Sequence, residues 1–287
     1  MLVCNLKGNT LFLLLLATTV LIFPMIPGKT QADSAQDLAQ AVQNPVASLI
    51  TVPFQNNIGF GAGPDDDVIN ILNIQPVIPV KIGNWNIINR LIMPLIYLPE
   101  TRIELPVQPG EQSEVLTFNS EFGVGDINYT SFLSPAQPGK VIWGIGPSFN
   151  FNTATDDHLG SGKWSAGPSV VILTQPSPWT IGVLARQLWS FAGDDGRSGV
   201  SQFLMQPFLA YQLGDGWALS SAPIMTSNWN ADGGNGWTVP LGGGVNRVFT
   251  LGKQPLNASV QAYYNVERPK FAPEWTLRLQ LNLLFPK

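Results

Sequence analysis

"WTLRLQLNLLFPK", Trp275–Lys287, closes the chain. Leu277, Leu279, Leu281, Leu283 and Phe285 share one parity, while Thr276, Arg278, Gln280 and Asn282 share the other. Successive side chains of an extended strand point to opposite faces, so this stretch is a strand with one oily and one polar face. In a soluble sheet the oily face meets a protein core and the polar face meets bulk water. In a membrane barrel the oily face meets lipid and the polar face an enclosed lumen. The rest of the sequence decides between the two.

Only 12% of the 287 residues are charged, yet 28 Gly, 24 Pro and 9 Trp are spread along the chain. That is about half the charge of an ordinary globular protein, too little to cover a soluble surface of this size. No apolar run after residue 30 approaches the roughly 20 residues that a spanning helix needs, so a membrane protein of this sequence must cross with strands. A net charge of -4 argues against a nucleic-acid partner.

The beginning reads as a secretory signal. Lys7 supplies a positive start, Leu11–Phe23 an apolar segment, and Thr30–Ala32 small residues for cleavage after Ala32. Residues 1–32 are therefore expected to be a signal peptide. Cys4, the only cysteine, lies inside it, so the mature chain is expected to have no thiol, disulfide or cysteine-bound metal. Residues 33–53 follow, with the only helix-forming composition in the chain, broken at Pro45. They are either a periplasmic lead-in or a plug entering a barrel.

From Phe54 onward twelve segments of period two follow one another, separated by turn residues. They run Phe54–Gly63, Val68–Ile82, Trp85–Leu98, Gly123–Leu133, Val141–Thr153, Lys163–Thr174, Trp179–Phe191, Val200–Leu213, Trp217–Trp229, Trp237–Phe249, Leu256–Val266 and Trp275–Phe285. Their connections alternate. One set is tight, as at Gly83–Asn84, Gln175–Pro178 and Gly214–Gly216; the other is longer on average and more acidic, as in "ATDDHLGSG" and "AGDDGRSG". Short periplasmic turns alternating with longer outer loops characterise a membrane barrel with an even strand number and both termini in the periplasm, and a soluble sandwich has no reason to sort loops by end. The segments average about a dozen residues, suited to a tilted crossing that takes roughly 9 to 11, whereas globular strands cluster near five or six. Trp85, Trp143, Trp179, Trp189, Trp217, Trp229, Trp237 and Trp275 fall near segment ends, where aromatic girdles belong. The expected fold is all-β: a transmembrane antiparallel up-and-down barrel of about twelve strands over residues 54–287, preceded by a short helix, in the outer membrane of a Gram-negative-type bacterium.

Several motifs sharpen this: "QNPVASLITVPFQNNIGFGAGPDDD", "LNIQPVIPV", "GVGDINYTSFLSP", "TVPLGGGVNRVF", "LGKQPLNASVQAYYNVERP" and "LQLNLLFPK". The sequence resembles a family of bacterial outer-membrane proteins described as phenol-degradation meta-pathway proteins, some labelled transporters and some, misleadingly, neuromedin U. The resemblance spans most of the mature chain and implies an outer-membrane barrel with a transport role. It carries over no catalytic residues. One departure is the end of the chain: such barrels usually finish on an aromatic residue, and here Pro286 and Lys287 follow Phe285.

Parity places Arg90, Asp126, Arg186 and Arg278 inside, among amides that include Gln202 and Gln206. Asp126 either pairs with an arginine or shares a constriction whose guanidinium groups attract a carboxylate or phenolate. Ile88, Ile92, Leu184, Leu188, Leu204 and Phe208 share the inward parity, which suits a weakly polar solute or packing against a plug. The expected function is a transporter or channel for small, aromatic or weakly polar solutes. The alternative is a structural or surface-interaction barrel with a closed lumen. No catalytic site, cofactor or resident metal is expected: the sole histidine, His158, lies in a loop, and the acidic loops lack calcium-loop spacing. Expected partners are membrane lipid with lipopolysaccharide, a small solute and, among proteins, other barrels.

Overall fold

The computed structural model describes residues 29–104, 115–231 and 235–286. The expected signal peptide, residues 1–32, lies outside them except for residues 29–32. A helix, α1 (Lys29–Val42), comes first. Twelve strands follow in up-and-down order, three of them in two pieces: β1 (Ile50–Ala62), β2 (Asp67–Ile74 and Val77–Ile82), β3 (Trp85–Leu98), β4 (Glu121–Val124 and Ile127–Pro135), β5 (Val141–Phe151), β6 (Lys163–Thr174), β7 (Trp179–Gly193), β8 (Ser201–Gly214), β9 (Trp217–Ser221 and Met225–Asn228), β10 (Trp237–Leu251), β11 (Gln254–Glu267) and β12 (Trp275–Phe285). Each pairs antiparallel with its neighbours in sequence, and β1 pairs β12 from Ile50 with Phe285 to Phe60 with Trp275. That last ladder closes the sheet and removes its edges, the only way strands can cross hydrocarbon with every backbone group satisfied. No helix among the described residues is long and apolar enough to cross a membrane.

The tight turns all lie at the end of the barrel that holds both chain ends. Ile82 pairs with Trp85, leaving Gly83 and Asn84 as a two-residue turn with Gly83 at φ 59°. Gly214, Asp215 and Gly216 all have positive φ, which only a glycine-rich turn supplies cheaply. At the opposite end, the loop after β3 carries a small hairpin, Thr101–Glu104 with Val115–Phe118, which periodicity did not mark out. β1 also begins earlier than Phe54, at Ile50. "LITV" has no strict alternation, but its pairing with Leu283–Phe285 extends the ladder.

Exposure separates the two faces. Ile78, Val80, Ile145, Val170, Ile172, Ile181, Leu209, Leu219 and Leu241 are exposed in mid-wall, as lipid-facing side chains must be. Aromatic pairs ring both ends of this belt. Trp85 with Trp143 and Trp179 with Tyr211 lie near the tight turns, and Phe151 with Trp164, Trp229 with Trp237 and Tyr264 with Trp275 near the loops. Arg247 stacks its guanidinium on Trp217 at 4.9 Å, an anchor suited to a membrane interface.

Of residues 33–53, which the sequence left as a periplasmic lead-in or a plug, 50–53 belong to β1, and the segment before them lies against the inner wall as a plug would. Ala39 and Leu49 are buried against Val248 and Leu284 of the inner wall. Val46 enters a second cluster with Ile88, Phe132, Val171, Leu173 and Leu184. It rests over Gly144, where a Cβ would stand 3.1 Å from its Cγ1. Gln40 and Gln175 donate side-chain amides to each other's carbonyls at 3.1 and 2.7 Å, and Gln36 donates to Gln212. Ile88 and Leu184, inward by parity, thus pack on the plug.

Candidate functional site: the lumen

The inner wall mixes polar and apolar groups. Along β10–β12 it carries buried amides, a hydroxyl and a guanidinium: Asn246, Asn257, Ser259, Gln261, Asn282 and Arg278. Along β3–β8 an apolar cluster of Ile88, Phe132, Val171, Leu173 and Leu184, backed by Leu204 and Phe208, is set among further buried polar groups such as Asn128, Thr130, Ser148 and Ser169. Gly182 makes room for the Phe208 ring, which occupies the space a Cβ would need. Both regions follow from strict alternation in strands whose other face meets lipid.

Two cavities lie along the lumen. The inner one, about 180 Å³, is bounded by plug residues such as Val42 and Leu49 and by Gln75, Arg90, Gln206, Phe208 and Arg278. The outer one, about 490 Å³, is bounded by Asn150, Ser165, Leu188, Arg197, Gln202 and Asn228. Arg186 is one inward position deeper than Leu188, so it sits between the outer cavity and the chamber that Arg90 lines.

The three inward arginines differ in their bonding. Arg278 is fixed in the wall: its Nε donates to Asn57 at 3.0 Å, its Nη1 donates to the Ala222 carbonyl at 2.9 Å, and its guanidinium lies 4.8 Å from the centre of the Tyr263 ring. Ala222 opens the gap between the two pieces of β9, where Pro223 lacks a backbone donor, and Tyr263 accepts the Ala222 N–H at 3.0 Å. Arg278 and Tyr263 therefore repair a broken ladder. Arg90 donates to Gln75 at 2.6 Å. Arg186 makes no hydrogen bond or ion pair among the described residues and faces the like charge of Arg90. Ser169, its register partner on β6, is 2% exposed with an unpartnered hydroxyl.

Asp126 neither pairs with an arginine nor forms a constriction. It stands at the outer rim, where its carboxylate accepts the backbone N–H groups of Thr153 (3.2 Å), Ala154 (3.3 Å) and Ser161 (2.8 Å) and the Ser161 hydroxyl (2.7 Å). It is the strut of the loop between β5 and β6. The loop pairs its His158 and Leu159 N–H groups on Asp156, and a carboxylate across the strand accepts those of Thr153, Ala154 and Ser161. Gln206 and Gln202 line the inner and outer cavities as their parity implies. Tyr263 and Ser169 were missed by sequence reasoning; their inward parity was readable, but their surroundings were not.

Glu121, Asp156 and His158 bring one ligand atom each within 4.8 Å of one another on the outer surface. The His158 backbone N–H donates to Asp156 at 2.9 Å, and this bond holds the Asp156 carboxyl below the ordinary carboxylate range. His158 is 56% exposed and outside the lumen.

No family model matches the sequence, and no curated protein matches it either. Among solved structures, an outer membrane channel from Pseudomonas putida F1 aligns with a TM-score of 0.61 at 14% identity, covering 91% of this chain and 100% of its own. Two barrels align more loosely. Outer membrane phospholipase A from Escherichia coli gives a TM-score of 0.42 at 12% identity, over 82% of this chain and 92% of its own. The CymD monoaromatic hydrocarbon channel gives 0.43 at 8% identity, over 88% and 91%. The likeness to the Pseudomonas protein is one of fold: a closed outer-membrane-type barrel over nearly the whole chain.

Proposed function

We propose that this protein is a plugged outer-membrane channel for small solutes that join an aromatic or otherwise weakly polar body to a polar group, without enzymatic activity. The observation that carries this reading is a lumen that sets an apolar cluster on β3–β8 among buried amides, hydroxyls and inward arginines, with two cavities along its length. The Pseudomonas channel supports the reading by sharing the fold over its full length. The resemblance to phenol-degradation meta-pathway proteins fits the same solutes. Lipid and lipopolysaccharide are then the medium around the girdle, and residues 1–32 the signal that delivers the chain.

The closed-lumen alternative has one observation in its favour, the plug, which fills the end of the bore nearest the tight turns. We read the plugged form as the resting state of the channel. Planar-bilayer recording tests this: brief openings with anions carrying most of the current are expected. A barrel that is electrically silent even when its plug is displaced overturns the channel.

A further inference from the structure

We propose that Arg90, Arg186 and Ser169 form an anion gate that takes the carboxylate of a small amphiphilic acid, whose apolar body lies on Leu184, Leu204 and Phe208. Three observations meet here. Two arginines, Arg90 on β3 and Arg186 on β7, occupy inward positions within reach of each other's charge, and among the described residues no ion pair joins either to a carboxylate. An enclosed cluster of like charge without a counterion is unfavourable, and a bound anion relieves it. Ser169 adds a hydroxyl that is almost wholly buried and unpartnered, directly across the ladder from Arg186. That hydroxyl is a donor an oxyanion beside Arg186 can use.

The third observation gives the ligand its shape. Leu204 is the register partner of Arg186 on β8, and Phe208 lies one inward position beyond Gln206, against Gly182. The apolar cluster thus begins where the guanidinium groups end. A bare inorganic ion would leave that cluster uncovered, and a neutral hydrocarbon would leave the charges unmet. An acid with a ring or short chain satisfies both, and Arg presents the planar fork that carboxylates fit. Arg278 is left out of this site, because its bonds to Asn57 and Ala222 and its stacking on Tyr263 fix it to the wall at β12. Arg90 and Phe208 line the inner cavity, and Arg186 stands one inward position from Leu188 of the outer one, which puts the site along the way from one to the other.

The inference rests on the channel reading only for the gate's place in a pathway; the binding site is tested without transport. Calorimetric titration of the full-length detergent-folded protein with benzoate, acetate and benzyl alcohol separates carboxylate from ring. Benzoate is expected to bind at least about tenfold more tightly than either of the others, since each lacks one half of the contact set. Arg186→Gln should weaken benzoate by about tenfold to a hundredfold, Arg186→Lys by less, and Ser169→Ala by several-fold. Wild-type binding of benzyl alcohol as tight as benzoate overturns the gate and needs no variant to fold. So does unchanged benzoate affinity in folded Arg186→Gln and Arg90→Gln. If bilayers conduct but benzoate shows no advantage, the gate falls and the channel stands. If benzoate binds as stated to a barrel that never conducts, the site stands and the channel falls.

Discussion

The plug can be displaced from a single position. Val46 is 3% exposed, enclosed by Ile88, Phe132, Val171, Leu173 and Leu184. Burying a valine to this degree contributes about 1.5–3 kcal/mol. Val46→Ala forfeits most of that and leaves a small cavity, a loss of about 1–3 kcal/mol for the inserted state. Val46→Asp loses the same contacts and adds a carboxyl among side chains that cannot bond it, a further penalty of about 2 kcal/mol or more. The total, about 3–5 kcal/mol, shifts the equilibrium between inserted and withdrawn plug by roughly two to four orders of magnitude. Gly144→Val should act from the wall side, because even its Cβ would stand 3.1 Å from Val46 and 3.2 Å from Val171. The assay is thiol labelling in a Cys4→Ser, Ala39→Cys background, since Ala39 is fully buried in the plugged state. The labelling rate should rise from parent to Val46→Ala to Val46→Asp, and bilayer conductance should rise in the same order. Labelling of the Val46→Asp protein no faster than the parent, in a barrel shown to be folded by its heat-modifiable migration, would refute the assignment of Val46 as the plug's anchor.

Two other outcomes follow from the wall and the rim. Asp126→Ala should leave the barrel intact but loosen residues 152–162 by about 2–3 kcal/mol, because several backbone donors lose a charged acceptor at once. Hydrogen exchange at the amides of Thr153, Ala154 and Ser161 reads this directly, and unchanged protection would show that the loop is held by something else. Leu281→Arg, on the lipid face of β12, should lower stability by about 2–4 kcal/mol in denaturant titrations from lipid vesicles. Gln280→Glu, one residue away but in the lumen near Arg278, should change it by under about 1 kcal/mol. Equal losses in the two variants would mean that the faces of β12 are wrongly assigned.

The sequence by itself determined the wall. Alternation in "WTLRLQLNLLFPK" is a local property: once a residue is in a strand its parity fixes its face, and lipid outside forces every second residue to be apolar. Tight turns were legible for the same reason, since "GN" and "GDG" encode their own backbone angles. Strand count, common end for the termini, aromatic girdles and the inward direction of Arg90, Arg186 and Arg278 all follow from such local facts. What those inward groups meet was decided only by the tertiary structure, because their partners lie far away along the chain. Arg278 bonds Asn57 across 221 positions and Ala222 across 56, so nothing near it in sequence shows that it is committed to the wall. Asp126 reaches a loop 27 to 35 residues on, and composition alone could not choose between that loop and an arginine. The plug is the plainest case. Helix-forming composition in residues 33–53 is compatible with a tether outside or a stopper inside, and the choice falls to the inside because the closed barrel gathers Ile88, Phe132, Val171 and Leu184 from four strands into a surface that Val46 can bury.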